Sequence, residues 1–330
     1  MQNYVKAWRK INKLDAVVPV LEICRRSRYD LIAGERSRED LVVFCDSKIE
    51  HGVAEPVLGT GSVARPFRIG LTSILLVERY VDVLRNPDLH TLLHLYNTHS
   101  IMKQKYPVFV IGISDRTGGF LPVVYYRTSQ RKEIDSSWCL SFLKRVVLQE
   151  FRVVISPDFV MIDADTAQYN ACVDEVPDSI ILMCWFHVTQ NVFKHARDAK
   201  LDRVSIPVIF RKQYDLHFAV DDEQYLRKRD YIIASLRGAG EVCPRFKCVA
   251  NHIIKMWLLN PRFSRWQAYH TPPGYAATNN PLETYHYTLK LVNDSKNATP
   301  TELVSRLDLS LIAYESSMTR FCVHAKCPSD

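Results

Sequence analysis

Two acidic residues that lie far apart in the sequence have surroundings suited to holding a metal ion. Asp163 directly follows the apolar run from Phe159 to Ile162, which predicts a buried strand. Open α/β sheets place their sites at the carboxyl ends of such strands. Glu283 falls in the segment 278–290, which predicts the start of a helix. Because Mg²⁺ is usually held by carboxylates, Asp163 and Glu283 are the candidate metal ligands.

Each acid also has an ordinary structural interpretation, which the sequence leaves open. A strand-end Asp that precedes a helix is often the N-cap of that helix. Asp165 is the nearby alternative for the site, although it falls within the helix predicted from 165 to 173. An acid in the first turn of a helix, such as Glu283, stabilises the helix dipole by about 0.3–1 kcal/mol. Asn279 or Asn280 would then be the N-cap.

A second apolar run, from Ile180 to Met183, is followed by a cysteine and a histidine. Cys184 and His187 are two possible ligands, whereas a structural zinc site needs four. We therefore expect a buried thiol and a histidine that packs near the acidic site, and no zinc. The 9 cysteines are scattered without the spacing of a disulfide framework. This distribution predicts free thiols and a reducing compartment.

Composition limits the class of protein. The chain has 330 residues, 47% of them hydrophobic, which is enough for one large core or two smaller ones. A net charge of +7 is compatible with nucleic-acid binding. Neither an apolar run of membrane-spanning length nor a secretory signal is present in the sequence, so we expect a nuclear or cytosolic protein.

The pattern of elements predicts a mixed α/β fold. Strand-forming runs at 91–98, 108–114 and 120–128 are followed by an amphipathic helix at 136–150. Strand, helix and strand then alternate up to residue 183. Three meandering strands followed by this alternation indicate a ribonuclease H-like mixed sheet flanked by helices.

Four segments are predicted along the chain. The first is helical or irregular, with a short strand at Leu41–Phe44 and a loop over 53–66. Two parts of one core flank an all-helical insertion, which has no alternating strand pattern. The predicted segments are 1–66 at the N-terminus, 67–190 as the first part of the core, 191–275 as the insertion, and 276–330 as the C-terminal helices that complete the core.

Over residues 67–295 the sequence resembles the catalytic domain of Mutator-like element (MULE) transposases. The resemblance depends on four motifs that occur in the family's order. They are Tyr106-Pro-Val-Phe-Val-Ile-Gly-Ile-Ser-Asp115, Val160-Met-Ile-Asp163-Ala-Asp-Thr-Ala, Cys184-Trp-Phe-His187, and Thr278-Asn-Asn-Pro-Leu-Glu283 followed by His286 and Lys290.

The resemblance implies an Asp-Asp-Glu triad that cuts and joins DNA with two Mg²⁺ or Mn²⁺ ions. Asp163 matches the second acid and Glu283 the third, while Cys184 and His187 match a family motif to which we assign no role. Transposon-end DNA as partner, a homo-oligomer assembled on that DNA and a nuclear location are implied in the same way.

The chain departs from the family at the first acid, because Tyr96 stands at that position in Leu93-His-Leu-Tyr-Asn-Thr98. A phenol has an ordinary pKa near 10 and is neutral at pH 7, so it cannot replace a carboxylate that bridges two ions. Asp115 is a poor substitute because it should face the opposite end of the sheet. We therefore expect impaired catalysis. The alternatives are a transposase-derived DNA-binding or assembly protein without catalysis, and a decayed copy with no role.

Overall fold

The computed structural model describes residues 14–29, 37–98, 107–285 and 309. Several features predicted from the sequence lie outside these residues. They are residues 1–13 of the N-terminal segment, Tyr106, His286, Lys290 and most of the C-terminal helices predicted within 276–330.

The core is a mixed sheet of eight strands in the order β2-β1-β3-β6-β5-β4-β7-β8. Strands β4, β7 and β8 run parallel to one another, whereas all other neighbours are antiparallel. The strands are β1 Leu41–Glu50, β2 Val53–Val57, β3 Arg68–Ser73, β4 Leu92–Thr98, β5 Val108–Ser114, β6 Phe120–Thr128, β7 Phe159–Ile162 and β8 Ile180–Met183. The mixed α/β class is therefore confirmed.

Helices connect the strands and cover the sheet. A π-helical turn, Ile254–Leu258, continues α8, and a short 3₁₀ helix covers Ala268–His270. The α-helices are α1 Leu14–Ser27, α2 Ile74–Arg85, α3 Glu133–Phe151, α4 Thr166–Glu175, α5 Trp185–Asp198, α6 Ser205–His217, α7 Asp222–Val242, α8 Pro244–Ile253, and α9, which is described over 280–285.

Strands β5 and β6, at the centre of the sheet, have the bounds that the sequence predicts. Every residue of β5 and β6 is buried. Because successive side chains of a strand point to opposite faces, both faces of the sheet must be covered there. Complete burial of a Val, Ile or Phe side chain stabilises the fold by about 1.5–3 kcal/mol, which makes this pair the centre of the core.

The N-terminal segment differs from the prediction. Strand β1 extends well beyond Phe44, and residues 53–57 form β2 rather than a loop. His51 and Gly52 both have positive φ, at 52° and 78°, which suits a tight hairpin turn with the twist of the two strands. Strand β1 then pairs with β3, so this segment extends the sheet.

Helix α3 begins one turn earlier than predicted, at Glu133. Asp135 lies inside its first turn rather than at the N-cap. Its carboxylate accepts hydrogen bonds from the backbone N–H of Lys132, at 3.0 Å, and from Arg68 Nε, at 2.7 Å. The second bond ties the start of the helix to β3.

Residues 191–275 contain helices and no strand, in agreement with the pattern on which the insertion was predicted. The boundaries of the four segments stay predictions. Within the described part of the chain, no helix is both long enough and apolar enough to cross a lipid bilayer.

The contact between β1 and the core leads to a first prediction. The Phe44 ring covers Gly70 of β3 and stacks on Phe142 of α3, with 3.6 Å between the ring centroids. A methyl group at Gly70 would collide with the Phe44 ring, so Gly70→Ala should lower the free energy of unfolding by about 1–3 kcal/mol. Urea denaturation followed by circular dichroism measures this change.

Gly238→Ala is the matched control, because a methyl group in the middle of α7 would meet no other atom within 4 Å. That substitution should stabilise the protein by about 0.5–1 kcal/mol. Equal stability of Gly70→Ala and the wild type would mean that Phe44 does not pack on β3.

Candidate active site

Three of the candidate residues lie at the carboxyl ends of the parallel strands. Leu95 of β4 pairs with Ile162 of β7, which in turn pairs with Met183 of β8. The next residues along these strands are Tyr96, Asp163 and Cys184, so they form one row across the sheet. Residues in one row of a sheet point to the same face, which brings these three side chains together.

His187 lies between the two acids. It belongs to the first turn of α5, which begins directly after Cys184. Its Nδ1 is 2.8 Å from Asp163 Oδ1, and its Nε2 is 3.9 Å from Glu283 Oε1. The ring of Tyr96 packs against the imidazole, with 5.4 Å between ring centroids. The structure therefore gathers Tyr96, Asp163 and Glu283 around His187, while the chemical roles of these residues stay predictions.

The contacts of His187 are electrostatic and not well-aligned hydrogen bonds. Both His187 Nδ1 and Glu283 Oε1 are buried atoms without a hydrogen-bond partner. His187 Nδ1 is thus close enough to Asp163 for an ion pair, but the geometry is not that of a hydrogen bond. Buried polar atoms without partners are rare and often mark a functional site or a position for an ion.

A buried amide holds the site together. Asn279 Nδ2 donates to Asp163 Oδ1 at 3.1 Å, and the backbone N–H of Asn279 donates to Cys184 Sγ at 3.2 Å. Asn279 Oδ1 accepts a hydrogen bond from His94 Nδ1 at 2.8 Å. His94 Nε2 then accepts one from the hydroxyl of Ser114 at 2.7 Å. Asn279 and His94 are both completely buried.

Burial lowers the pKa of His94 to about 4, although its hydrogen bond to Asn279 raises it. His94 is therefore neutral at pH 7, with its proton on Nδ1 facing Asn279. Sequence reasoning assigned no role to His94 and considered Asn279 only as an N-cap. The available signal was a histidine inside an otherwise apolar strand, two residues before Tyr96.

The position of Glu283 follows from the start of α9. The backbone N–H of Glu283 donates to the carbonyl oxygen of Asn279 at 2.8 Å, which closes the first helical turn. Since residue 280 is the first helical residue, Asn279 precedes the helix. Its side chain binds His94 and Asp163 and does not cap the helix in the usual way.

Asp165 caps the start of α4. It precedes α4, and its Oδ1 accepts hydrogen bonds from the backbone N–H groups of Ala167 and Gln168, at 2.8 and 3.2 Å. The prediction that Asp165 lies within the helix is therefore wrong by one residue. Because Asp165 caps the helix, Asp163 is available for the site.

Asp115 lies at the other end of the sheet, as expected. Leu92, at the start of β4, pairs with Ser114, at the end of antiparallel β5. Asp115 Oδ1 accepts hydrogen bonds from the backbone N–H groups of Thr117 and Gly119, at 2.9 and 2.7 Å. This residue organises the hairpin turn and cannot supply the missing acid.

The charges of the site favour a protonated histidine. Burial lowers the pKa of His187, but contact with Asp163 and Cys184 and their charges raise it to about 10. Burial raises the pKa of Glu283, and the positive charge of His187 reduces this increase. Burial and the charges of Asp163, Glu283 and Cys184 raise the pKa of Tyr96, so its phenol keeps its proton at neutral pH. An imidazolium between two carboxylates thus balances much of their charge.

These residues do not fit a pair of Mg²⁺ ions. Such ions lie about 3.5–4 Å apart and need carboxylate oxygens that bridge them. Here the His187 ring lies between Asp163 and Glu283, and a neutral phenol stands at the third position. Among the described residues, one group of His, Cys, Asp or Glu has donor atoms that all lie within 4.8 Å of one another: Asp163, Cys184 and His187.

The hydrogen bonds of Asn279 lead to a second prediction. Asn279→Ala leaves the buried Nδ1–H of His94 without an acceptor and removes a donor to Asp163. Each of these two lost hydrogen bonds should lower the free energy of unfolding by about 1–3 kcal/mol. Asn280→Ala is the matched control, because this neighbouring side chain is exposed. Urea denaturation of both variants measures the effect. An equal loss of stability in the two variants would show that Asn279 does not hold the site together.

Residues 92–191 match the family model of the MULE transposase domain. The matched part runs from β4 into α5 and includes Tyr96, Asp163, Cys184 and His187, whereas Glu283 lies beyond it. A search of curated proteins found no match to the chain. The resemblance to the MULE transposase domain is thereby confirmed for this part of the chain.

Proposed function

We propose that this chain is a Mutator-like transposase domain that still contacts DNA but whose two-metal cleavage and strand transfer are impaired. The observation that carries the proposal is the side chain at the end of β4, where Tyr96 packs against His187 beside Asp163. A triad of this kind needs an acid at that position, and a neutral phenol cannot bridge two cations.

A ribonuclease H-like core is part of the proposal. The strands β6, β5, β4, β7 and β8 are neighbours in that order, and only β5 among them runs against the others. Three meandering strands followed by two parallel strands with helical connections support this assignment. Counted along the chain from β4, the first of these five strands is β4 and the fourth is β7. In such a fold the acids lie at the carboxyl ends of these two strands.

Helix α5 offers a surface for DNA. Lys194 follows His187 by seven residues, or about two helical turns, so it lies on the same side of the helix as the site, and Arg197 lies one turn further along. Both are exposed, and with Phe193 and Phe210 they line a shallow groove. Lys194 lies about 10 Å along the axis from His187, given a rise of 1.5 Å per residue. Basic side chains beside an exposed ring such as Phe193 suit a nucleic-acid backbone and its bases.

A role without catalysis is the second candidate, as a DNA-binding or assembly protein in the nucleus. The observation that favours it is the ion pairing of His187, which compensates Asp163 and Glu283 without a metal ion. In either case we propose that the chain binds transposon-end DNA, and that assembly into a homo-oligomer takes place on that DNA.

A nicking assay distinguishes the two candidates. On supercoiled DNA with Mg²⁺ or Mn²⁺, the wild type should give little or no product, because the second ion lacks its bridging acid. Tyr96→Asp should restore nicking if the domain is an impaired enzyme, and adding Glu283→Gln should abolish it again. Failure of Tyr96→Asp to restore nicking would favour the non-catalytic role.

Robust nicking by the wild type, lost in Asp163→Asn, would overturn the proposal. It would mean that another group completes the metal centre at Tyr96. The Tyr96→Phe variant controls for packing, because it keeps the ring against His187 and should be as inactive as the wild type.

Binding of double-stranded DNA provides a separate prediction. Lys194→Gln should weaken binding and reduce the slope of log affinity against log salt concentration by about 1, since one phosphate contact is lost. Lys48→Gln is the matched control, because Lys48 is also exposed but lies on β1, far from β8 in the sheet. Fluorescence anisotropy at several salt concentrations measures both. Equal effects of the two substitutions would exclude α5 as the DNA surface.

A further inference from the structure

We infer that Asp163, Cys184 and His187 form a binding site for a single thiophilic divalent cation, of which Zn²⁺ is the physiological example. The three residues offer a carboxylate oxygen, a thiol sulfur and an imidazole nitrogen, all within 4.8 Å of one another. The inference goes beyond the proposed function, because it depends on the donor set and not on whether DNA is bound or cut.

The identity of the donors selects the ion. Thiolate and imidazole ligands favour Zn²⁺, whereas Mg²⁺ prefers a shell of oxygen ligands. Three protein ligands with an open fourth position are the arrangement of many zinc sites that keep a bound water. Sequence reasoning counted only Cys184 and His187, and the fold adds Asp163 from the neighbouring strand.

The geometry requires only a small adjustment. Tetrahedral coordination with Zn–N and Zn–O bonds near 2.0–2.2 Å places the two ligand atoms about 3.3–3.6 Å apart. His187 Nδ1 and Asp163 Oδ1 are 2.8 Å apart, so they would separate by roughly half an ångström to admit the ion. His187 Nδ1 lacks a well-aligned hydrogen-bond partner, although it is the ring nitrogen that lies beside Asp163.

The surroundings of the three ligands support the same inference. The backbone N–H of Asn279 donates to Cys184 Sγ, which stabilises negative charge on the sulfur, and its side chain holds Asp163. Behind the imidazole, Glu283 Oε1 faces Nε2 at 3.9 Å. A carboxylate behind a ligating histidine fixes the ring and makes it a better ligand.

One side of the site is apolar and the other is open. Cys184 is completely buried with Leu92, Met161 and Leu182, which exclude water behind the sulfur. The side chains of Asp163 and His187 keep 16% and 20% of their surface exposed. An ion can therefore enter from the solvent side and meet the sulfur at the closed end.

Cobalt spectroscopy tests the inference on the full chain. After treatment with a chelator, Co²⁺ should bind in a 1:1 ratio and give the near-ultraviolet band of a sulfur-to-cobalt charge transfer. Zn²⁺ should remove this band, whereas a large excess of Mg²⁺ should leave it unchanged. Cys184→Ser should abolish the band. Cys248→Ser, which changes an exposed cysteine, is the matched control and should retain it.

A second variant covers the case in which Cys184→Ser does not fold. His187→Asn keeps the thiol and alters a partly exposed side chain, and it should weaken Co²⁺ binding by at least about tenfold. A folded wild type that binds no Co²⁺, or a charge-transfer band that persists in folded Cys184→Ser or at undiminished affinity in His187→Asn, would refute the site. Nicking assays in Mg²⁺ alone are read separately, so the two proposals can fail independently.

Discussion

A single buried amide connects the parts of the chain that make this site. Asn279 is 185 residues from His94, 116 from Asp163 and 95 from Cys184, and it makes a hydrogen bond to each. The carboxyl ends of parallel strands leave backbone and side-chain polar groups that something must satisfy. Here the segment that leads into α9 supplies those partners. Because the helix begins directly after Asn279, the same contacts set the position of Glu283.

The charges around His187 follow from that arrangement. Two acids are brought close together in a partly buried place, and a third acid would have needed a metal ion to balance the charge. With Tyr96 at the end of β4, one imidazolium is sufficient. The two carboxylates are therefore compensated by the charge of His187, and the donors around it include sulfur and nitrogen. A tyrosine rather than an acid at residue 96 lowers the negative charge of the site and leaves a donor set that includes sulfur and nitrogen.

Much of the core could be predicted from the sequence because burial on both faces leaves a clear pattern. Strands β5 and β6 consist mostly of apolar and aromatic residues, and their bounds were predicted correctly. The hairpin of β1 and β2 was missed because residues 47–50 are exposed and mostly polar, and only β2 pairs with them. Such a segment has the composition of a loop. It is a strand because it pairs with a neighbouring strand, and this pairing cannot be read from its own residues.

The candidate site was predicted in part for a similar reason. Asp163 stood out because it follows an apolar run, whereas Glu283 became a candidate through the family motif in which it lies. The closeness of Asp163 and Cys184 depends on the register between β7 and β8, which a single sequence does not reveal. Likewise, nothing in the sequence pairs His94 with Asn279.

The number of metal ions at the centre is best determined by electron paramagnetic resonance of Mn²⁺-saturated protein. If Tyr96 prevents two Mn²⁺ ions from binding side by side, the wild type should show no spin-coupled Mn²⁺ signal. Tyr96→Asp should give one. A spin-coupled pair in the wild type, lost in Asp163→Asn, would contradict the role of Tyr96 as the residue that keeps the second ion out.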